Sequence, residues 1–125
     1  MILVDTSVWI DHFRNSDPQL VGLLQSNQIL THPCVIGEIA LGHLRARPMI
    51  LNMLGKLPQA VVANDDELLG FISQNKLAGV GVGYADAHLL AATRLSAHAL
   101  LWTRDKQLHR VAARLGLAYD SLAKS

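Results

Sequence analysis

The chain has a single cysteine, Cys34, in 125 residues. A lone thiol closes no internal disulfide and supplies no zinc site by itself. Its position after Pro33 in an apolar run predicts a buried, structural side chain. Charge is scarce too: Asp, Glu, Lys and Arg make up 17% of the residues, against about 25% in an average globular protein. Eleven basic and ten acidic side chains leave a net charge of +1. That excludes a global polyanion-binding surface and confines any nucleic-acid site to a local patch. No apolar run approaches the roughly 18 residues of a membrane span, so no membrane association is expected. The opening Met1-Ile2-Leu3-Val4-Asp5 lacks the basic start and cleavage-site pattern of a secretory signal, which makes a cytoplasmic location the expectation. Repeats, low-complexity tracts and linkers are absent as well, predicting one domain over 1–125.

What the chain does have is apolar content. Half of its residues are hydrophobic, enough for a real core. With few charges left to cover the outside, part of its surface suits contact with a partner. The run Met1–Val4 is short, continuous and apolar, the mark of a strand buried on both faces. Ile29–His32, Gln59–Ala63, Ala99–Thr103 and Leu117–Tyr119 are further strand candidates. Helices are expected between them. Thr6 or Ser7 would cap the first, Asp17-Pro18 would start the second, and Pro33 would open a third reaching about Arg45. Pro48 opens a short one, and Asn64 with Glu67 resembles a capping box ahead of Leu68–Lys76. Tyr84–Ala97 and Arg104–Leu115 complete the set. Strands alternating with helices predict an α/β fold, an α/β/α sandwich around a mostly parallel sheet. Ligands bind such sheets beyond the carboxyl ends of the strands.

Chemistry at that edge is acidic. Asp5 ends the first strand, Asp105 follows Leu100-Leu101-Trp102-Thr103, and Asp86 lies in the first turn of the helix after the loop Gly79–Gly83. Glu38 sits in an otherwise apolar helix. Each has an ordinary explanation: strand-end turns for Asp5 and Asp105, the helix dipole for Asp86, and an ion pair with Arg45 for Glu38. Together they weigh differently, because converging unpaired carboxylates repel one another and a divalent cation relieves that repulsion. Oxygen-only ligands select hard ions, Mg²⁺ or Mn²⁺.

Val4-Asp5-Thr6-Ser7-Val8-Trp9-Ile10-Asp11, Gly37-Glu38-Ile39, Tyr84-Ala85-Asp86-Ala87-His88 and Trp102-Thr103-Arg104-Asp105 resemble, in this order, the acidic motifs of PIN-domain proteins. More narrowly, they resemble the VapC toxins of type II toxin–antitoxin pairs. The resemblance implies a five-stranded parallel sheet and a Mg²⁺- or Mn²⁺-dependent endoribonuclease that hydrolyses RNA. Asp5, Glu38, Asp86 and Asp105 match the family's acidic, metal-holding positions, with Asp5 and Asp86 the expected direct ligands. Thr6 or Ser7 and Thr103 match its hydroxyl positions. The resemblance also implies a homodimer and a small antitoxin protein that covers the acidic pocket. A cation held there would polarise the scissile phosphate and activate a water.

Other features carry less. Lys106, Arg110 and Arg114 recur every four residues on the last helix, either a solvated face or a phosphate-backbone contact. The six histidines share no ligand spacing and read as structural or exposed. Trp9 and Trp102 read as core, and Asp11 with Arg14 as a surface pair. The glycine loop raises a dinucleotide-binding alternative, against which Tyr84 stands where the third glycine belongs, and the loop follows a helix rather than a strand. A phosphatase or phosphoacceptor domain would want a second acid near Asp5, where Ser7 stands. A non-catalytic RNA- or partner-binding module on the same fold also stays open.

Overall fold

In the computed structural model, which describes residues 1–121, the first apolar run forms strand β1 (Ile2–Val4) with every residue buried. Successive strand side chains point to opposite faces, so three buried residues in a row mean that both faces of the sheet are covered. β1 is the central strand. It pairs in parallel with β2 (Ile29–Leu30) on one side and β3 (Leu100–Trp102) on the other. The register sets Leu3 opposite Leu30 and Leu101, and Val4 opposite Trp102.

Five strands are expected and three form among the described residues. The two outer segments lie parallel at the sheet edges but touch it through single bridges, Thr31 with Gln59 and Leu101 with Ala118. On the first edge, Thr31 donates to the Pro58 carbonyl and accepts from the Ala60 amide. Val61 then donates to Ser96 Oγ instead of the sheet, so pairing stops after one residue. On the other edge, Leu101 exchanges bonds with Leu117 and Tyr119, and the Tyr119 hydroxyl turns away to accept from Gln19 at 2.6 Å.

Among the described residues seven helices fill the connections: α1 (Thr6–Arg14), α2 (Pro18–Gln25), α3 (Pro33–Leu41), α4 (Arg47–Lys56), α5 (Asp65–Gln74), α6 (Tyr84–Leu95) and α7 (Lys106–Arg114). Their starts follow local chemistry. Asp17 Oδ1 caps α2 by accepting from the Gln19 and Leu20 amides, with Pro18 at the first helical position. Asn64 and Glu67 exchange bonds of 2.8 Å in a capping box at α5. At α1 the expectation of a Thr6 or Ser7 cap is corrected. Asp5 holds the cap position, and both hydroxyls lie inside the first turn, aimed at carboxylates. α3 has a cap that its sequence did not advertise: His32 Nδ1 accepts from the Cys34 amide at 3.0 Å.

Trp9 and Trp102 are buried in one core with Leu3, Leu90, Leu101 and Leu108. Cys34 is only half-buried, a correction to the buried thiol expected, because it lies in the first turn of α3 rather than on its inward face. Among the described residues no helix is long and apolar enough to cross a membrane.

Candidate active site

The carboxyl ends of β1 and β3 lie side by side, since Val4 pairs with Trp102 and the Asp5 amide donates to the Trp102 carbonyl at 2.9 Å. The residues that follow these two strands therefore meet. Asp5 Oδ2 accepts from Thr103 Oγ1 at 2.6 Å and from Ser7 Oγ at 2.9 Å. Each hydroxyl accepts in turn from a backbone amide of the turn after β3: Ser7 from Arg104 at 3.0 Å, Thr103 from Asp105 at 3.1 Å. Every donor in this buried network has an acceptor, and a satisfied polar network fixes its members' rotamers. Asp5 is held still.

The other three acids arrive on separate helices. Glu38, on α3, accepts from Thr6 Oγ1 at 2.6 Å through Oε1. The ion pair with Arg45, the ordinary explanation for Glu38, does not form among the described residues. Asp86 lies in the first turn of α6, where its Oδ2 accepts from the Gly83 amide at 3.1 Å. Asp105 caps α7 through Oδ1, which accepts from the Leu108 amide at 2.8 Å. So each of the four carboxylates has one oxygen engaged by the protein. The other, Asp5 Oδ1, Glu38 Oε2, Asp86 Oδ1 and Asp105 Oδ2, has no hydrogen-bond partner among the described residues.

Their mutual influence is legible at Asp86. Burial raises its carboxyl above the ordinary value of 3.8, and the charges of Asp5, Asp105 and Glu38 push it the same way, against the Gly83 bond. Four acids from four elements thus share one electrostatic neighbourhood. Among the described residues no three His, Cys, Asp or Glu side chains are drawn in to ligating geometry, as mutual repulsion would dictate.

Two features of this edge escaped the sequence. Arg104 pairs with Asp11 at 2.7 Å and with Asp17, and its guanidinium lies 5.7 Å from the Trp102 ring centre. Asp11 therefore bonds to Arg104, not to Arg14 as expected. Arg104 stands within the motif Thr103-Arg104-Asp105, which was the only signal for it. The second is a pair of histidines, His32 and His88, with ring centres 5.8 Å apart. Their wide separation along the chain hid it. The glycine loop, which follows α5 rather than a strand, packs against Gln107, whose Nε2 donates to the Val80 carbonyl. Gly81 has a φ of +84°, a conformation that a side chain disfavours.

A short parallel sheet with acids gathered at its carboxyl edge and hydroxyls bracketing the first of them is the layout of a PIN domain. The PIN-domain family model matches residues 2–114, and the chain belongs to that family. Among known proteins it is similar to Ribonuclease VapC32 of Mycobacterium tuberculosis, in two strains. The two are 46% identical over 118 residues, covering 94% of this chain and 95% of that protein. A solved structure of FitAB bound to an IR36 DNA fragment shares the fold, with a TM-score of 0.55 at 17% identity, over 90% of this chain and 91% of that one.

Proposed function

We propose that this chain is a metal-dependent endoribonuclease, the toxin of a type II toxin–antitoxin pair, working through Asp5, Glu38, Asp86 and Asp105. The carrying observation is the open oxygen on each of these four acids, one apiece, with the charges of Asp5, Asp105 and Glu38 adding to the burial that raises Asp86. Hard, anionic oxygens fit Mg²⁺ or Mn²⁺ and not a softer ion. Such an ion, when bound, supplies charge neutralisation and Lewis acidity toward a phosphate. The similarity to a protein named as a ribonuclease supports the substrate class.

The chain's own residues set the geometry. Ser7 and Thr103 lock Asp5, leaving Oδ1 as its one presentable atom. Thr6 does the same for Glu38. The caps at Gly83 and Leu108 orient Asp86 and Asp105. Asp5 and Asp86, the two less exposed acids, are assigned as direct ligands. Glu38 and Asp105 are exposed, which suits contact through water or removal of a proton from the attacking water.

A cognate antitoxin and a homodimer belong to the same reading. Exposed large apolar side chains such as Leu41, Met49 and Leu69 supply apolar surface for such contacts. A basic antitoxin side chain would neutralise the acidic edge as a stand-in for the cation.

RNA incubated with the protein in Mg²⁺, Mn²⁺ or EDTA tests the activity. Cleavage is expected with either ion and not with EDTA. Asp5→Asn and Asp86→Asn are expected to lower it by about 100-fold or more, the scale seen when one electrostatic group leaves an active site. Asp66→Asn, at the start of α5 and not among the acids whose charges act on Asp86, is expected to cleave normally. Full activity in EDTA, or equal damage from Asp66→Asn, would overturn the assignment. Metal-independent binding without cleavage would point to a non-catalytic module.

A further inference from the structure

The basic residues of α7 do not act as one stripe. Lys106, His109, Arg110 and Ala113 follow at i, i+3, i+4 and i+7, and with Thr103, Arg104 and Asp105 they line a recess of about 480 Å³. Positions so spaced share one helix face. The opposite face is core, with Leu108, Val111 and Ala112 buried. Arg114 lies outside the recess. Its Nη2 donates to the Asn75 carbonyl at 2.8 Å, fastening α7 to the end of α5. The recess thus starts at Thr103 and Asp105, at the acidic edge, and runs from there along α7.

Its charges are unequally balanced. Arg104 is neutralised by Asp11 and Asp17, and His109 faces Asp120 at 3.2 Å. Lys106 and Arg110 are in no ion pair among the described residues. Arg110 Nη1 donates to the neutral amide oxygen of Gln107, and Gln107 is itself tied to the Val80 carbonyl in the glycine loop. The guanidinium is therefore steadied with its charge intact. Lys106 is harder to explain by stability. It is the first residue of α7, where the helix dipole is positive and a cation is unfavourable. A cation at a helix's wrong end, one turn (about 6 Å) from a second unneutralised cation, suits an anion that neither partner in the fold supplies.

We propose that Lys106 and Arg110 form a subsite for a backbone phosphate of the RNA strand adjoining the phosphate that is cut. The inference rests on the ribonuclease reading above. The acidic edge repels a polyanion, and the cation pair beside it offsets that repulsion where the strand enters. Ammonium and guanidinium groups are the side chains that recognise phosphate, and contacts of this kind position a strand without reading its sequence.

Fluorescence anisotropy of a labelled single-stranded oligoribonucleotide, in EDTA to prevent cleavage, tests the subsite across a salt series. Wild type, Lys106→Gln/Arg110→Gln and Arg114→Gln are compared. One lost phosphate contact lowers the slope of log affinity against log salt by about 0.7 for single strands. That decrease is expected in the double variant and not in Arg114→Gln. With Mg²⁺ present, the double variant is expected to raise KM and leave kcat at saturating RNA near wild type. Arg110→Lys, which keeps the charge, is expected to keep the slope. Lys106→Gln alone carries the test if the double variant is unfolded. An unchanged slope and KM in a wild-type background that cuts RNA would overturn the subsite alone. An equal loss in Arg114→Gln would replace it with a diffuse basic surface. Failure of wild type to bind or cut RNA would overturn both the subsite and the reading on which it rests.

Discussion

Lowering the pH from 7.5 to 5 attacks a side chain that the fold requires uncharged. His32 is 1% exposed, and burial, reinforced by the neighbouring His88, lowers its pKa from 6.5 to about 4. Its Nδ1 accepts from the Cys34 amide to cap α3, so that nitrogen must be bare. The hydrogen then sits on Nε2, which has no partner among the described residues. Protonating Nδ1 would remove the cap and bury a charge. As the folded value lies below the unfolded one, the unfolded chain takes the proton first. The stability contributed by His32 is whole above pH 6.5 and is lost as pH falls toward 4. The full loss is on the order of 3 kcal/mol, of which about 2 kcal/mol is reached at pH 5. For a domain of this size that lowers Tm by roughly 6–9 °C. Thermal melts of wild type and His32→Asn at both pH values measure it, because asparagine keeps a capping oxygen and does not titrate. His12, also lowered mainly by burial, contributes in the same direction and remains in the variant, so the comparison is between the two pH-induced shifts. The His32→Asn variant is expected to lose some stability at both pH values while its pH-induced shift shrinks by about 2 kcal/mol. Parallel pH dependence in the two proteins would refute the role given to His32.

Neutralising Asp86 should act in the opposite sense to most substitutions. Its raised folded value means that ionisation costs the folded state something as pH rises through 3.8 and above. Asp86→Asn is therefore expected to match or exceed wild-type Tm at pH 7 without metal and to lose that advantage near pH 3. Mg²⁺ at ten times its dissociation constant should stabilise wild type by about 1.4 kcal/mol and the variant by less. Asn64→Ala removes one half of the capping box at α5 and is expected to cost about 1 kcal/mol, read as a lower midpoint in urea with an unchanged m-value.

Elements with a local signature were legible in the sequence alone. The apolar run at β1, the Asp17-Pro18 start and the Asn64–Glu67 box are encoded by neighbours along the chain, and they form as expected. Strand number was not legible, because it depends on where hydrogen bonds cease. Gln59–Ala63 has the composition of a strand, but Val61 donates to Ser96 Oγ, 35 positions away. Side-chain partners across the fold were equally hidden. Arg104 reaches Asp11 over 93 positions, and nothing local distinguishes that pairing from an Asp11–Arg14 pair on one helix.

The acids of the proposed site were legible for a different reason: each occupies a position that local structure already favours for an acid. Asp5 and Asp105 end strands and hold helix cap positions, and Asp86 sits in a first turn. The ordinary and the functional explanations are therefore not rivals. Gathering four carboxylates costs the fold electrostatic energy, and the caps at Leu108 and Gly83 and the hydroxyls of Thr6, Ser7 and Thr103 offset it one oxygen at a time. Those bonds engage a single oxygen in each case. Had they engaged both, fewer lone pairs would be left for a cation; with neither engaged, the carboxylates would have no fixed direction. Half-satisfied carboxylates, each tethered by its own element, give an edge that is fixed in position and still open to a cation.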